Sequence, residues 1–493
     1  MSSPFDEQKY KDLLEGLEVS EVRLSNVVKD NFEFRIDSDF FKKEILSALE
    51  FIKNKPHNKL KELVSNIKSF GAYSLCNEIN FIEKDDKAIP FIRCLNIKNG
   101  VINFDDLLFI DNESNNLLWK SEIKPRAVLV TMSGTVGNAT VAMEHWKYPI
   151  NSNQDIAKIE AKEINPYFLA TFLNSKYGYI QMIRLQAGAI QQHLYLSQIE
   201  KIIIPKISRN FQDRIEKIVK SAHSKREQSQ SIYRQAEELL LETIGLKDIK
   251  PNEAGTNIKS FKESFLTTGR LDAEYYQPKY EDYIQLIKNY SGGFDWLQKV
   301  CPLKDNNFTP KETIEYQYIE LSDIGKSGNI TGCTLAKGNE LPSRARRKVN
   351  TNDVIISSIE GSLESCALIT EDYDNALCST GFYVINSRGI NSATLLVLFK
   401  SEVMQNILKQ NCSGTILTAI NKTDFLQIPV PLIDDKIQQQ IAKLIEESFR
   451  LRGESERLLE EAKEMVEREI EGEGIKRRNI RYNENRISNL KFI

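Results

Sequence analysis

Two long stretches of the chain repeat apolar residues at alternating steps of four and three. The first runs from Phe211 to Ile244 without Pro or Gly, and the second runs from Ile437 to Met465. An apolar period of 3.5 residues over several heptads is typical of a helix that pairs with another helix. Gly453 lowers the helix propensity of the second stretch a little. We predict a coiled coil whose pairing residues are Ile215, Ile218, Ile232, Leu239, Ile441, Leu444, Leu458 and Met465.

The two stretches are related by one constant shift along the chain, which places Ile215 on Ile441 and the polar interruption Ser229 on Ser455. Matching helices in one chain favour an internal duplication that is held together by its own coiled coil. The alternative is a pair of unrelated amphipathic core helices. Periodicity reveals the pairing face of a helix and not its direction, so antiparallel pairing is a hypothesis. It would let two globular halves lie at opposite ends of long helices.

The remainder of the chain repeats as well. The segment Arg35-Ile-Asp-Ser-Asp-Phe-Phe41 has a counterpart in Arg270-Leu-Asp-Ala-Glu-Tyr-Tyr276. Ala127–Met143 has the pattern of a strand, a turn with glycines and a second strand, and Asp353–Ile369 repeats it. The predicted fold class is therefore α+β, with two duplicated mixed α/β domains joined by two long helices that form an intramolecular antiparallel coiled coil.

Helical patterns in the two halves also correspond, and prolines end each globular part before a long helix. The predicted shorter helices are Lys42–Ile52, Pro166–Asn174, Tyr280–Ile287 and Ala393–Ser401. The predicted organisation is an N-terminal helical segment (1–30), a first globular domain (31–205), a central helix (206–246), a linker (247–268), a second globular domain (269–431), a second long helix (432–475) and a tail (476–493).

Composition narrows the possible functions. The chain has 493 residues with a net charge of −3, so no overall basic field indicates nucleic acid, and any polyanion site must be a local patch. The seven cysteines form no CxxC pair, and the first thirty residues are too charged for a secretory leader. No segment approaches the apolar length of a membrane span. We expect a cytoplasmic protein with reduced thiols and no membrane contact.

Catalytic motifs are not found in the sequence. Ser133-Gly-Thr-Val-Gly137 lies between two strand-like runs, which favours a hairpin turn over a phosphate-binding loop. The four histidines lack metal-ligand spacing. Asp155, Glu160 and Lys162 resemble a nuclease cluster, but their spacing is short, and the aligned stretch Phe382–Arg388 has no carboxylate. We predict a non-catalytic chain without a metal.

Local basic patches remain as candidates for DNA binding. Four cations, in a predicted loop after Leu341-Pro-Ser343, can neutralise phosphates and reach guanine edges, although a solvated charge run is the alternative. Amides after Gly188-Ala-Ile190 suit adenine edges. The halves diverge here, with Leu417-Thr-Ala419 in the second, as two sites with different ligands would. The candidate DNA-binding residues are Arg344, Arg346, Arg347 and Lys348 in the second half, and Lys120, Lys124, Arg126, Gln191, Gln192 and His193 in the first.

This ordered set of motifs resembles the specificity subunits of type I restriction–modification systems. The resemblance covers nearly the whole chain, and its most specific parts are the duplicated globule-and-helix plan and the paired segments Arg35–Phe41 and Arg270–Tyr276. It implies two target-recognition domains that each read one half of a split double-stranded DNA target. It also implies an antiparallel coiled coil that fixes the spacer and docks the modification subunits.

The resemblance further implies a non-catalytic role in defence against foreign DNA. No cofactor is expected on this chain. Two adenine-methylating modification subunits would use S-adenosylmethionine, and restriction subunits would use ATP and Mg. Three alternatives stay open: the specificity partner of a methylation-only defence system, a coiled-coil adaptor whose globules bind proteins, and a stand-alone nuclease.

Overall fold

The computed structural model describes residues 6–14, 21–29, 31, 34–70, 78–186, 192–247, 251–252, 256–386, 389–414 and 418–472. The chain divides into two compact units. Unit 1 comprises the described residues of Met1–Ser224 and Glu454–Arg478, and unit 2 comprises those of Lys225–Gly453. Each unit therefore contains one globular part and a segment of each long helix. The predicted tail, 476–493, lies outside the described residues.

The globular part of unit 1 mixes short helices and short strands. Its helices are α1 (Glu7–Leu14), α2 (Leu24–Lys29), α3 (Lys43–Lys53), α4 (Leu60–Leu63), α5 (Asn112–Leu117), α6 (Pro166–Asn174), α7 (Lys176–Leu185) and α8 (Leu196–Ile199). Its strands are β1 (His57–Lys59), β2 (Val64–Lys68), β3 (Phe81–Ile82), β4 (Ile89–Ile92), β5 (Ile97–Lys98), β6 (Val101–Ile102), β7 (Leu108–Ile110), β8 (Val128–Thr131), β9 (Ala139–Val141), β10 (Asn151–Ser152), β11 (Ile156–Ala161) and β12 (Ile203–Pro205).

The main core of unit 1 lies between an antiparallel sheet, in the order β2-β11-β8-β9, and helices α3, α6 and α7. Strands β8 and β9 pair across a turn in which Gly134 and Gly137 have φ angles of 70° and 89°. Glycine suits these positions because other residues rarely adopt positive φ. The predicted hairpin turn at Ser133–Gly137 is thus confirmed. A second sheet, β10-β4-β7-β3, contains the parallel pair β4–β10.

The first long helix is α9 (Arg209–Thr243). It ends at Gly245, whose φ is 69°, and Leu246 N donates a hydrogen bond to Leu241 O at 2.8 Å. A left-handed glycine with this backward hydrogen bond is the Schellman arrangement that satisfies the last carbonyls of a helix. Neither α9 nor any other helix in the described part of the chain is both long enough and apolar enough to cross a membrane.

Unit 2 repeats many of the elements of unit 1 in the same order. Its helices are α10 (Phe265–Thr268), α11 (Pro278–Lys288), α12 (Leu297–Val300), α13 (Ser392–Lys400), α14 (Glu402–Gln410) and α15 (Lys422–Leu426), and the second long helix is α16 (Asp435–Glu471). Its strands are β13 (Phe294–Trp296), β14 (Glu315–Ile319), β15 (Thr334–Lys337), β16 (Ala345–Lys348), β17 (Val354–Ser357), β18 (Cys366–Leu368), β19 (Leu377–Ser379), β20 (Phe382–Ile385), β21 (Cys412–Ser413), β22 (Ala419–Ile420) and β23 (Pro429–Pro431).

The strand pairings of the two units correspond. The sheet β18-β17-β20 of unit 2 matches β9-β8-β11 of unit 1. The parallel pair β14–β19 matches β4–β10, and the antiparallel pair β13–β23 matches β1–β12. The four predicted shorter helices are present as α3, α6, α11 and α13. The α+β fold class and the internal duplication are confirmed.

Within each unit, the two long helices run antiparallel. The early part of α9 shares a buried core with the late part of α16 in unit 1, and the late part of α9 shares one with the early part of α16 in unit 2. The residues concerned are Ile215, Val219, Ala462, Val466 and Ile470 in unit 1, and Tyr233, Ala236, Leu240, Ile441 and Ile445 in unit 2. The predicted direction of pairing is confirmed.

The two long helices are hydrogen-bonded to each other at two serines of unit 2. Ser229 Oγ donates to Ser448 O at 2.7 Å, and Ser448 Oγ donates to Ser229 O at 2.8 Å. A short side chain reaches the main chain of a facing helix only if the two backbones lie close together. Buried small residues recur at seven-residue intervals, namely Ala222, Ser229 and Ala236 in α9, and Ser448, Ser455 and Ala462 in α16.

The predicted pairing residues are not all at the centre of the helix interface. Ile215 and Ile441 are fully buried, and Val219, Tyr233 and Leu240 are buried as well. An α-helix drifts relative to a strict 3.5-residue repeat, and flanking positions of these helices pack against the globular parts. The remaining predicted residues are partly buried: Ile218, Ile232, Leu239, Leu444, Leu458 and Met465.

Replacing Ser448→Ala removes a hydrogen bond to the facing helix, so we expect the free energy of unfolding to fall by about 1 kcal/mol. Ser455→Ala is the matched control, because Ser455 Oγ is buried without a hydrogen-bond partner in the described structure. We expect no loss of stability for the control. Urea unfolding followed by circular dichroism measures both, and equal losses would contradict the assignment.

Candidate nucleic-acid interface

The basic segment of the second half is a strand, and the prediction of a loop there is wrong. Ala345–Lys348 forms β16 and pairs antiparallel with β19, which supplies main-chain hydrogen-bond partners. Ala345 is buried at 1 % exposure. The Arg347 side chain is only 15 % exposed, and its Nη2 lies 2.7 Å from Asp305 Oδ1. Arg347 therefore holds the strand in place and adds little free charge to the surface.

The other cations of this segment face solvent to different degrees. Arg344 and Lys348 are exposed, and Arg346 is partly exposed. Arg344 Nη2 lies 2.9 Å from Glu320 Oε1, which neutralises part of its charge. Arg346 and Lys348 therefore remain the candidates among these four for the predicted DNA binding.

The thinner basic patch of the first half contains Lys120 and Lys124. Lys120 Nζ lies 5.3 Å from the ring centre of Trp119 and 5.7 Å from that of Phe70. Trp119 is 65 % exposed, so a cation and an aromatic face are presented together. Lys124 forms an ion pair with Glu122.

Arg126 belongs to a polar network that joins the first globule to α9. Its Nη1 lies 2.5 Å from Glu144 Oε1, and the Tyr167 phenol donates to the same carboxylate at 2.7 Å. Lys220 Nζ lies 3.4 Å from Glu144 Oε2 and 2.8 Å from Glu216 Oε1. Burial raises the pKa of Glu144, but the phenol and the two cations outweigh it and lower the pKa to about 2. The charge of Arg126 is thus largely balanced within the protein.

In unit 1, residues 192–195 run beside the β8–β9 hairpin. His193 forms an antiparallel bridge with Ser133, and Leu194 N donates to Met132 O at 2.8 Å. These contacts fix the backbone of a segment that the sequence predicts to read bases.

The side chains at this hairpin are open to ligands. Gln192 is exposed, whereas Gln191 lies outside the described residues. The ring of His193 lies 4.9 Å from that of Tyr195, which is 52 % exposed. Around Gly134, no described atom lies within 4 Å of the place that a Cβ would take. The sequence prediction missed Tyr195, although its spacing of two from His193 puts both on one side of an extended segment.

Unit 2 builds the same arrangement with other side chains. Ile359 and Ala419 form an antiparallel bridge, and the constant shift between the two halves places it on the bridge of unit 1. Glu360 N donates to Thr418 O at 3.0 Å, and the Thr418 hydroxyl donates to the Glu360 carboxylate. Glu360 was not among the predicted residues, and Thr418 was named only as part of the divergent segment Leu417-Thr-Ala419. The constant shift between the two halves places Glu360 on Gly134, and this is the signal that would have found it.

The resemblance to a nuclease cluster has no geometric support. Asp155 precedes β11 and Glu160 lies near its end, and five strand residues span about 17 Å. Glu160 Oε1 lies 2.7 Å from Lys68 Nζ, and Lys162 Nζ lies 3.8 Å from Glu163 Oε1. Among the residues that the structure describes, no group of three or more His, Cys, Asp or Glu side chains could hold a metal ion.

Lys158 is an unexpected buried cation on β11, with 1 % exposure. Its Nζ donates to Ser121 Oγ at 3.0 Å, and that hydroxyl donates to Ser152 O at 2.6 Å. Burial lowers the pKa of Lys158 to about 7, with a smaller contribution from the charge of Lys68. At the equivalent position of unit 2, Val384 is buried at 1 % exposure, so the fold accepts an apolar side chain there.

Residues 297–463 match the family model of the type I restriction modification DNA specificity domain. The match confirms the resemblance to type I specificity subunits for the second globule and much of α16. No curated protein matches the chain.

Several solved structures are similar, among them the following three. The type I restriction-modification S subunit from M. genitalium has a TM-score of 0.41 and 14 % identity, covering 85 % of this chain and 96 % of that one. The HsdS subunit from Thermoanaerobacter tengcongensis has a TM-score of 0.29 and 14 % identity, with coverages of 84 % and 96 %. A chain in a structure that describes complex assembly and conformational transition of the type I R-M system has a TM-score of 0.28 and 13 % identity. The match covers 84 % of this chain and 97 % of that one. Because these TM-scores are below 0.5, the family match alone carries weight.

Replacing Lys158→Met should stabilise the protein near neutral pH. The folded-state pKa of about 7 lies below the unfolded-state value of about 10.4, so the unfolded state binds more protons between these pH values. The stability of the parent protein therefore rises with pH in this window. We expect the variant to gain about 2–4 kcal/mol at pH 7 and less as the pH approaches 10. Urea midpoints of both proteins at about pH 7 and pH 9.5 measure this, and a gain independent of pH would contradict it.

Proposed function

We propose that the whole chain is the non-catalytic specificity subunit of a type I restriction–modification enzyme, because residues 297–463 match the family model of the type I restriction modification DNA specificity domain. Each unit reads one half of a bipartite DNA target, and α9 and α16 set the spacer and dock two modification subunits. The observation that carries this proposal is the structural repeat, because unit 1 has the strand pairings and the bridged hairpin of the unit that holds the matched domain.

Two linked half-site readers suit this task physically. Once one half-site is bound, the second contact becomes intramolecular and gains effective concentration. A spacer wrong by one base pair rotates the second half-site by about a tenth of a helical turn, so the linked readers also test spacing. The paired helices have the small residues and buried serines that fix one register.

Different side chains at the equivalent hairpins suit different half-sites. Unit 1 presents an amide and an imidazole at Gln192 and His193, and unit 2 presents a hydroxyl and a carboxylate at Thr418 and Glu360. Amides pair well with adenine edges, whereas carboxylates accept hydrogen bonds from the amino group of cytosine.

The partners in this proposal are double-stranded DNA, two modification subunits and restriction subunits. S-adenosylmethionine, ATP and Mg act on those subunits, and this chain holds no cofactor. The net charge of −3 and the carboxylate partners of Arg126, Arg344 and Arg347 reduce the free positive charge of the predicted basic patches. The modification subunits therefore supply part of the phosphate contacts.

The test is a selection from a random duplex library, with the full chain co-purified with the methyltransferase encoded beside it. Enrichment of a split motif with a fixed gap supports the proposal. A complex that forms but shows no sequence preference would overturn it and favour a protein-binding adaptor.

Removing one heptad from both helices should shorten the recognised gap. Since Ser229 faces Ser448 in antiparallel register, the matched deletions are residues 223–229 and 448–454. Seven residues span about 10 Å of helix, which is about three base pairs of DNA. The same library selection reads out the new gap, and an unchanged gap would show that these helices do not set it. Deletion in one helix alone is the control, and we expect it to destabilise the pair.

Charge reversal of Arg346 and Lys348 to Glu should weaken DNA binding. Each lost phosphate contact reduces the slope of log affinity against log salt by about 1, so we expect a change of about 2. Lys299→Glu in the same unit is the control, since its side chain is also exposed (64 %) and lies away from β16 in sequence. Fluorescence anisotropy with the selected duplex at several salt concentrations measures the slopes, and equal slopes for all three proteins would favour the adaptor.

A further inference from the structure

Arg35 makes several polar contacts at the start of the first globule. Its Nε and Nη2 each lie 2.7 Å from an oxygen of the Asp37 carboxylate. Its Nη1 donates to the main-chain carbonyls of Arg184 at 3.1 Å and of Gln186 at 2.5 Å. The guanidinium also lies 5.0 Å from the ring centre of Phe40. One side chain thus binds its own turn and the end of a helix about 150 residues away in sequence.

Arg270 makes the same contacts in unit 2. Its Nε lies 2.8 Å and its Nη2 2.5 Å from the two oxygens of Asp272. Nη1 donates to Gln410 O at 3.4 Å, and Nη2 donates to Cys412 O at 2.8 Å. Its guanidinium lies 4.3 Å from the ring centre of Tyr275. The accepting carbonyls are those of unit 1 displaced by the constant shift between the two halves.

The carbonyls held by these arginines stand at one end of the segments that carry the proposed reading residues. In unit 1 they belong to the end of α7, and in unit 2 to the end of α14 and to β21. At the other end, Leu194 N donates to Met132 O and Ile420 N donates to Ser358 O, both at 2.8 Å. The described residues on the two sides of each segment are therefore held, on one side by an arginine and on the other by the hairpin.

We propose that Arg35 and Arg270 are positioning residues, each of which sets the readout of one half-site by holding the start of the reading segment in its own unit. This inference rests on the proposed function. A guanidinium suits the task because its planar fork grips a carboxylate bidentately and still has hydrogens for two carbonyls, whereas a lysine ammonium is a point charge without that geometry. The side chains of Arg35 and Arg270 are only 22 % and 16 % exposed, and each is paired with a carboxylate, so a direct phosphate contact is not their main role.

The two arginines lie in different units, which makes each the control for the other. If the arginine of one unit no longer holds its reading segment, the base preference should fall in one half-site and stay unchanged in the other. General destabilisation lowers the amount of active protein and weakens binding without selecting one half-site.

The experiment is the duplex-library selection on the full chain co-purified with its methyltransferase, comparing the parent with Arg35→Lys and Arg270→Lys. Lysine keeps the positive charge, which favours folding of the variants. Two further variants, Asp37→Asn and Asp272→Asn, weaken the same arginine–carboxylate pairs by removing the negative charge. We expect each variant to lose about tenfold in base discrimination in one half-site and less than about twofold in the other. The Arg35 and Arg270 variants should affect opposite halves.

The outcomes separate the inference from the function on which it rests. If the parent selects no split motif, the proposed function fails. If the parent selects a split motif and the lysine variants keep both halves sharp, or relax both halves equally, the positioning role is overturned while the proposed function stands. Relaxation of opposite halves supports the inference and assigns each unit to its half-site.

Discussion

The rest of the structure depends on the close approach of α9 and α16. Ser229 and Ser448 exchange hydrogen bonds between side chain and facing main chain, at 2.7 and 2.8 Å, which larger residues would prevent. Residues of both helices also belong to the buried core of each unit. The helix pair is therefore part of both folded units and not a connector between finished domains, so its packing contributes to the stability of each globular part.

The duplication preserves internal contacts while the exposed side chains differ. Gln212 Oε1 accepts from Asn165 N at 2.9 Å, and Gln438 Oε1 accepts from Asn391 N at 2.6 Å, so a long helix holds the start of a globular helix in the same way in both units. The hairpins instead present an imidazole and an amide in unit 1 and a carboxylate and a hydroxyl in unit 2. A shared frame with different surface chemistry fits two readers of different half-sites.

Charge was the least reliable guide to the candidate interface. The sequence shows four cations within Arg344–Lys348, but not that Arg347 meets Asp305 or that Arg344 meets Glu320. Those carboxylates are more than twenty residues away along the chain, and only folding brings them close. Arg126 likewise pairs with Glu144, which lies 18 residues further along the chain. Counting cations along a sequence overstates the free charge, because the neutralising carboxylates come from other parts of the chain.

The sequence by itself determined the two helices, the constant shift between the two halves, the hairpins and the α+β class, because apolar periodicity and repeated motifs are local signals. Tertiary structure alone decided the direction of helix pairing, the burial of Lys158 and the partners of Arg35 and Arg270. It also decided that, of the four cations within Arg344–Lys348, Arg344 and Arg347 are paired with carboxylates. The physical reason is that periodicity fixes which face of an element is buried, whereas the partner of that face is set by long-range packing.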